Sequence, residues 1–311
     1  MEGLASPAFL AALLAGMVTA AVPLLLAGLG EQISEKAGVL NIGLEGMMLF
    51  GAYAGFWTAW QSGSFALGFA AGAAAGVATA LVMALLCVRL ALDQIVVGIG
   101  LTLAGEGATA LLHHFQLSRS YPRLEAVATW PVPGLADLPV LGRAFFDRSP
   151  LVYLAVLLPF AILLVFRRLQ FGLNLQAAGD RPAALDAAGV SVTATRTAAV
   201  LLTGGLAGLG GAYLSTVGAG LFVPFMTNGA GFIAIVLAML ARGRPLNVLW
   251  GALLFGLCLA LTTAVQVAGL AVPTDVVQML PFAAVLVVLV LFGRRAGLPA
   301  ALGRPYRRGE E

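Results

Sequence analysis

The feature that most constrains this chain is its run of long apolar stretches. Nine read as candidate membrane spans: 8–29, 39–60, 65–88, 94–115, 150–166, 197–217, 231–241, 246–268 and 276–292. A helix rising ~1.5 Å per residue needs ~20 mostly apolar residues to cross ~30 Å of hydrocarbon. The seventh stretch is too short for that and reads as a half-helix. The runs are continuously apolar, without the alternation of a transmembrane strand, which excludes a β-barrel.

Composition agrees. Hydrophobic residues make up 60% of the 311 and charged residues 10%, where a soluble domain carries roughly 25% charged residues. Mean hydropathy is +0.99. A water-soluble enzyme is excluded. The expected fold class is an all-α polytopic membrane protein with about 8–10 transmembrane helices, some of them broken, in one domain over 1–311.

Net charge is +3, but no basic run is interleaved with aromatics, so nucleic acid is not an expected partner. Lys36 is the single lysine, and no G-x-x-x-x-G-K precedes it; a P-loop ATPase site is excluded. Cys87 and Cys258 lie in apolar runs without metal or redox spacing. The first run is too long for the core of a signal peptide and lacks a basic flank, so no cleavable signal is expected.

The basic residues suggest an orientation. With the C-terminal tail inside, Lys36, Arg89, Arg167, Arg168, Arg181, Arg196, Arg242, Arg244, Arg294, Arg295, Arg304, Arg307 and Arg308 fall in the cytoplasm. Arg119, Arg123, Arg143 and Arg148 fall outside. The positive-inside rule favours this arrangement over its inverse. It makes 116–149 an external loop and 167–196 a cytoplasmic one. In the latter, a short helix is expected after Asp180, with Asp180 as N-cap, Pro182 in the first turn and Gly189 ending it. Such a helix is either a docking element or an ordinary solvated segment.

Five stretches carry a family resemblance. EKAGVLNIGLEGMMLFGAYAGF (35–56) resembles the signature of the permease subunits of bacterial ABC importers for simple sugars and nucleosides. DQIVVGIGLTLAGEG (93–107) resembles their fourth-span segment, and PVPGLADLPVLGRAFFDRSPLVYLA (131–155) the external loop of the nucleoside-type branch. LNLQAAGDRPAALDAAGVSVTATRTAAVLLTGGLAGLGGAY (173–213) and GFIAIVLAMLARGRPLNVLWGALLFG (231–256) resemble the coupling loop and the later spans. Thr102 stands where the nucleoside-type relatives often have Asn, and Glu106 where they are usually apolar or small.

The resemblance implies a multi-pass protein of the bacterial inner membrane, a second permease subunit of the same or a related kind, and cytoplasmic ATPase subunits. It also implies an extracytoplasmic solute-binding protein. No cofactor is expected in this chain, because ATP and Mg would sit on the ATPase. The coupling contact would involve Asp180, Arg181, Pro182, Leu185, Asp186 and Gly189, with Leu185 as its bulky anchor. A branched-chain amino acid permease is the related alternative, against which GLADLPVLG argues; an ion-driven carrier using Glu45 and Glu106 is another.

Candidate pathway residues are Asn41, Glu45, Glu106 and Asn228. Asn41 and Glu45 are spaced as an i, i+4 helical pair. A carboxylate within the bilayer costs at least ~2.5 kcal/mol on insertion scales, so it faces a cavity or a partner. The pair therefore lines the pathway or satisfies a backbone broken near Gly38, Gly43 and Gly46. Asn228 and Gly229 read as a half-helix terminus or a plain turn. Asp93 reads as an N-cap, with Gln94 beside it at the start of the span; His113 and His114 read as interfacial. The glycines of GGLAGLGGAY (204–213) read as a close helix contact.

Overall fold

The computed structural model describes residues 6–117, 122–267, 279–292 and 297–307. Its helices are α1 (Pro7–Lys36), α2 (Leu44–Ser62), α3 (Phe65–Met83), α4 (Gln94–Gln116), α5 (Pro150–Arg168) and α6 (Gln170–Asp180). They continue with α7 (Pro182–Ala187), α8 (Val192–Tyr213), α9 (Ala230–Ala241), α10 (Pro245–Val267) and α11 (Leu280–Phe292). Turns of π-helix, Ala84–Arg89 and Leu214–Gly218, prolong α3 and α8. Two short antiparallel strands, β1 (Trp130–Pro131) and β2 (Asp147–Arg148), close the loop before α5.

Local sequence sets the helix starts. Ser6, Ser64, Asp93 and Ser191 each accept a first-turn N–H at the head of α1, α3, α4 and α8. The expected Asp93 cap is the fullest, taking the N–H groups of Ile95 and Val96 at 2.9 Å each. Pro7 and Pro150 occupy first-turn positions where a missing N–H costs nothing.

Helix α1 runs through the centre, packing on α8, α9 and α10, while α2, α3 and α8 form a second close layer. The α8 glycines make that layer possible. A Cβ on Gly211 would overlap the Met48 carbonyl of α2, and one on Gly76 of α3 would overlap the Gly204 carbonyl. Lipid-exposed helices associate by such small-residue contacts, because burying apolar surface gains little when the solvent is itself apolar. Leu81, Val96, Leu103, Leu157 and Leu164 are all more than half exposed, as lipid-facing side chains are, apart from nothing that water would favour.

Among the described residues, six helices are long and apolar enough to cross a membrane: Pro7–Lys36, Phe65–Arg89, Gln94–Gln116, Pro150–Arg168, Val192–Gly218 and Pro245–Gln266. One expected span changes, and the expected half-helix is present. The run 39–60 becomes helical only at Leu44, so Asn41 and Glu45 are not a pair on one helix. The run 231–241 is a helix of 12 residues, Ala230–Ala241, about 18 Å long and thus half a crossing. Arg119, Arg294, Arg295, Arg308, the start of the run 276–292 and residue 268 lie outside the described residues.

The loop 167–196 is itself mostly helical. Asp180 is not an N-cap; it is the last residue of α6, and Arg181 takes the cap position of α7. Pro182 explains the shift, since a residue before proline avoids the helical region, and Arg181 sits at φ −145°, ψ 73°. Gly189 does end α7, at φ +82°. The Gly189 N–H bonds the Asp186 carbonyl and the Val190 N–H bonds that of Leu185, the paired bonds of a Schellman stop.

Leu185, expected to face a partner, is turned inward. It is 5% exposed and packs with Ala178, Val192, Val190 and Tyr306. The outer side of α6 and α7 presents Leu173, Gln176, Asp180, Arg181, Ala184 and Ala188 to a shallow groove shared with Leu298 and Ala300, and Leu185 forms part of its floor.

The glycine contacts make a prediction. Gly211→Ala should lower the melting temperature of the purified protein, overpacking costing ~1–3 kcal/mol. Gly107→Ala, where a Cβ meets nothing within 4 Å, should leave it unchanged or raise it. Equal melting temperatures in both variants would refute the close-contact account.

Candidate functional site

Two segments of non-helical backbone enter the helical body, and side chains from distant helices hold both. Within a bilayer, irregular backbone survives only where such partners exist. The first break, 37–43, joins α1 to α2. The Leu40 N–H donates to Gln94 Oε1 (2.8 Å), and the Asn41 N–H donates to Glu31 Oε1 (3.0 Å). The Ile42 carbonyl accepts from the Thr102 hydroxyl (3.3 Å), and the Ala37 carbonyl accepts from Arg196 Nε (3.1 Å).

Arg196 does more than this. Its Nη2 donates to the Ala178 carbonyl at 3.1 Å and its Nη1 to the Arg304 carbonyl at 2.8 Å. One guanidinium, 3% exposed, therefore ties the first break to α6 and to the segment 297–307. Backbone bonds from Ala301 to Gly179 and from Gly303 to Gly38 complete the seam.

The second break, 219–229, precedes α9, and Glu45 closes it. Its Oε1 accepts from the Thr227 hydroxyl (2.5 Å) and the Gly229 N–H (2.9 Å). Its Oε2 accepts from the Gly231 N–H (2.6 Å). Gly229, in the left-handed conformation, has no side chain with which to cap α9. The carboxylate supplies the cap from another helix, and negative charge is favoured at a helix N-terminus. Glu45 also lies in the first turn of its own helix, α2, so one carboxylate serves two helix starts. Gly231 is required here, because a Cβ would fall within 2.8 Å of the Glu45 backbone and carboxylate.

The four pathway candidates have different surroundings. Glu45 binds the second break on either side of Asn228, through Thr227 and Gly229, while Asn228 itself is exposed and at φ +43°. Asn41 is wholly buried in the first break, its Nδ2 against Met47 Sδ at 3.3 Å. Glu106 is half-buried beside the stripe Gly98, Thr102, Gly105 and Thr109, the face that α4 buries. Gly98 and Gly105 on that stripe touch Gly43 and Gly46, which brings α4 against the start of α2. His113, with Phe222 6.0 Å away, and His114 lie in the last turn of α4.

A polar cluster at the end of α1 escapes sequence reasoning. Glu31, Gln32, Ser34 and Glu35 are each at most 4% exposed. Glu31 Oε2, both Gln32 amide atoms, Ser34 Oγ, Glu35 Oε2 and Asn41 Oδ1 are buried without a partner. Gln32, Glu35, Lys36, Asp180 and Arg242 line a cavity of about 180 Å³ where α1, α6 and the turn after α9 meet. In sequence, EQISEK looks like an ordinary solvated helix end; the one available signal is that two acids and a glutamine precede a glycine-rich break. The arrangement holds backbone and gathers buried polar groups around that cavity.

Removing the Glu45 carboxylate should expose the difference between its two possible roles. Glu45→Ala leaves two buried N–H groups unpaired, at ~1–3 kcal/mol each, and should reduce folded protein in the membrane as read by gel filtration. Glu45→Gln, which keeps an acceptor oxygen, should lose less. Wild-type yield and melting temperature for Glu45→Ala would refute the pinning role.

Comparison with known proteins agrees with this architecture. The family described as branched-chain amino acid transport system / permease component matches residues 13–289. A Haloferax volcanii protein provisionally named as a glucose ABC transporter permease is 43% identical over 91% of this chain and 85% of its own. The nucleoside ABC transporter permease protein NupC of Lactococcus lactis is 33% identical over 94% of this chain and 96% of its own. The guanosine ABC transporter permease protein NupQ of Bacillus subtilis is 31% identical, over 93% and 94% respectively. No solved structure matches. With nearly its whole length matched and a multi-pass helical body, this chain belongs to the permease component family of the branched-chain amino acid transport system type, whose nucleoside and sugar ABC permeases are its relatives.

Proposed function

We propose that this chain forms the membrane pathway of an ATP-driven importer for nucleosides or related simple sugars. The observation that carries the transport reading is the half-helix α9, whose N-terminus is held within the helical body by Glu45. About 18 Å of helix separates that point from the turn at Arg242, so the break lies near mid-membrane, where transporters place helix termini that meet solute. Asn228 and Glu45 would shape the pathway at this depth, with Asn41 and Glu106 on its flanks. The solute class rests on the relatives named for nucleosides, guanosine and glucose.

In this reading the chain works beside a second permease subunit, an extracytoplasmic binding protein delivers solute, and cytoplasmic ATPase subunits hold ATP and Mg. The C-terminal tail and 167–196 lie in the cytoplasm, and 116–149 lies outside. Counting 219–229 with α9 as one crossing, the helices then thread the membrane nine times from an outside N-terminus.

Coupling would use the outer side of α6 and α7, with Leu185 at the floor of the groove rather than as a projecting anchor. Asp180 and Arg181 offer charge, Ala184 and Ala188 permit close approach, and Leu173 is 59% exposed. Pro182 and Gly189 set the ends of α7, and Asp186 accepts the bond that turns the chain at Gly189.

Two experiments test this. In proteoliposomes, uptake of guanosine or glucose should require ATP and the ATPase subunit and should survive collapse of the proton gradient; uptake by this chain alone on an ion gradient would overturn the reading. Ala184→Arg should leave the permease level unchanged while abolishing ATPase co-purification. Leu185→Asp should instead lower the level, because burying that side chain contributes about 1.5–3 kcal/mol. Full ATPase retention by Ala184→Arg would remove this groove as the docking face.

A further inference from the structure

A second polar site lies at the opposite end of the molecule from the coupling loop. Where the loop before α5 folds back over α1 and α8, a cleft of about 380 Å³ is lined by Thr19, Glu125, Asp147, Arg148, Ser149 and Tyr213, among others. Its roof is fastened at both ends: the Leu124 N–H donates to the Gly220 carbonyl at 2.8 Å, and Trp130 pairs with Arg148 in the β1–β2 ladder. The Tyr153 hydroxyl fixes the corner, accepting from the Arg148 N–H (3.2 Å) and donating to the Trp130 carbonyl (3.0 Å).

Two side chains here are held in place with hydrogen-bonding capacity left over. Arg148 is positioned by neutral acceptors, its Nε on the Ala144 carbonyl (2.7 Å) and its Nη1 near the Thr19 hydroxyl (3.4 Å). Its Nη2 is buried without a partner. Ser149 stands at the N-cap of α5, where a serine hydroxyl ordinarily accepts a first-turn N–H. It makes no such bond. The residue is 4% exposed and its Oγ has no partner. Buried polar atoms in native proteins are nearly always paired, and those that are not mark a functional site more often than a defect.

The charges narrow the ligand. A guanidinium beside a helix N-terminus favours an acceptor oxygen, but Glu125 and Asp147 on the same cleft repel an anion and want donors. A ring bearing several hydroxyls meets both demands, since each hydroxyl both donates and accepts. Thr19 and Tyr213 add further neutral hydroxyls to the wall.

We propose that this cleft is a solute-contact site on the outer face, in which Arg148 and Ser149 hold oxygens of a neutral, polyhydroxylated ring. This rests on the transport reading above and adds where the solute first touches the permease.

The test places a thiol in the cleft. In a chain with Cys87 and Cys258 replaced by alanine, Thr129→Cys, an exposed position on the same cleft, is treated with a membrane-impermeant thiol reagent, without ATPase or binding protein. Labelling from outside should be slowed by guanosine or glucose and not by leucine. Adding Arg148→Met should raise the half-protecting concentration about 10- to 100-fold, the range for losing a charge-assisted hydrogen bond. Arg148→Lys, which keeps the charge and loses the fork, should fall between the two and guards against a folding defect in the methionine variant.

If the wild-type complex imports a probe that gives no protection, the site is wrong and the transport reading stands. If neither probe is imported, the transport reading fails and takes this proposal with it. Protection by leucine alone would overturn the ligand class. Absence of labelling, or labelling from the inner side only, would overturn the site.

Discussion

Everything in this fold depends on a few side-chain hydrogen bonds to backbone that is not helical. A peptide group without a partner in a low-dielectric interior costs far more than an ordinary hydrogen bond gains. Glu31, Gln94, Thr102 and Arg196 meet that demand for 37–43, and Glu45 meets it for 227–231. None of these partners is near in sequence to the group it serves, except Glu31. Each break can therefore form only after α1, α4, α8 and α9 have assembled around it, which couples local unwinding to the whole tertiary arrangement.

The packing follows from the same need. To bring Gln94 and Thr102 to the first break, α4 must lie against the start of α2, and Gly98 and Gly105 give it room. To bring α8 close enough for Arg196 and for Thr203, whose hydroxyl bonds the Gly30 carbonyl at 2.7 Å, its neighbours must tolerate near contact. The glycines of α3 and α8 provide that tolerance. The result is an apolar outside around buried polar groups at the end of α1 and at the two breaks.

What could be read from sequence was what is local. The spans followed from apolar length, the Asp93 cap from its position before Gln94, and the Gly189 stop from glycine at the end of a short alanine-rich helix. The contact of GGLAGLGGAY with neighbouring helices was legible from small-residue spacing. Long-range matters were not. Asn41 and Glu45 have helical spacing, yet Gly38 and the side chains around 37–43 overrule it. Asp180 looks like a cap until residues 170–180 themselves prove helical, and Leu185 looks free until Tyr306 covers it. The polar run Glu31 to Glu35 reads as solvent-facing because nothing nearby in the chain reveals what surrounds it.

The seal over Leu185 has a consequence for assembly. Tyr306 and the Arg304 carbonyl, which Arg196 holds, belong to a segment made more than a hundred residues after α7. Ribosomes thus release α6 and α7 long before their inner side is covered, and during that interval the hydrophobic residues beneath are open. If ATPase subunits recognise the settled face of α6 and α7, they would engage finished permease and pass over nascent chains. The order of synthesis would then act as a checkpoint that keeps the motor from joining an incomplete channel.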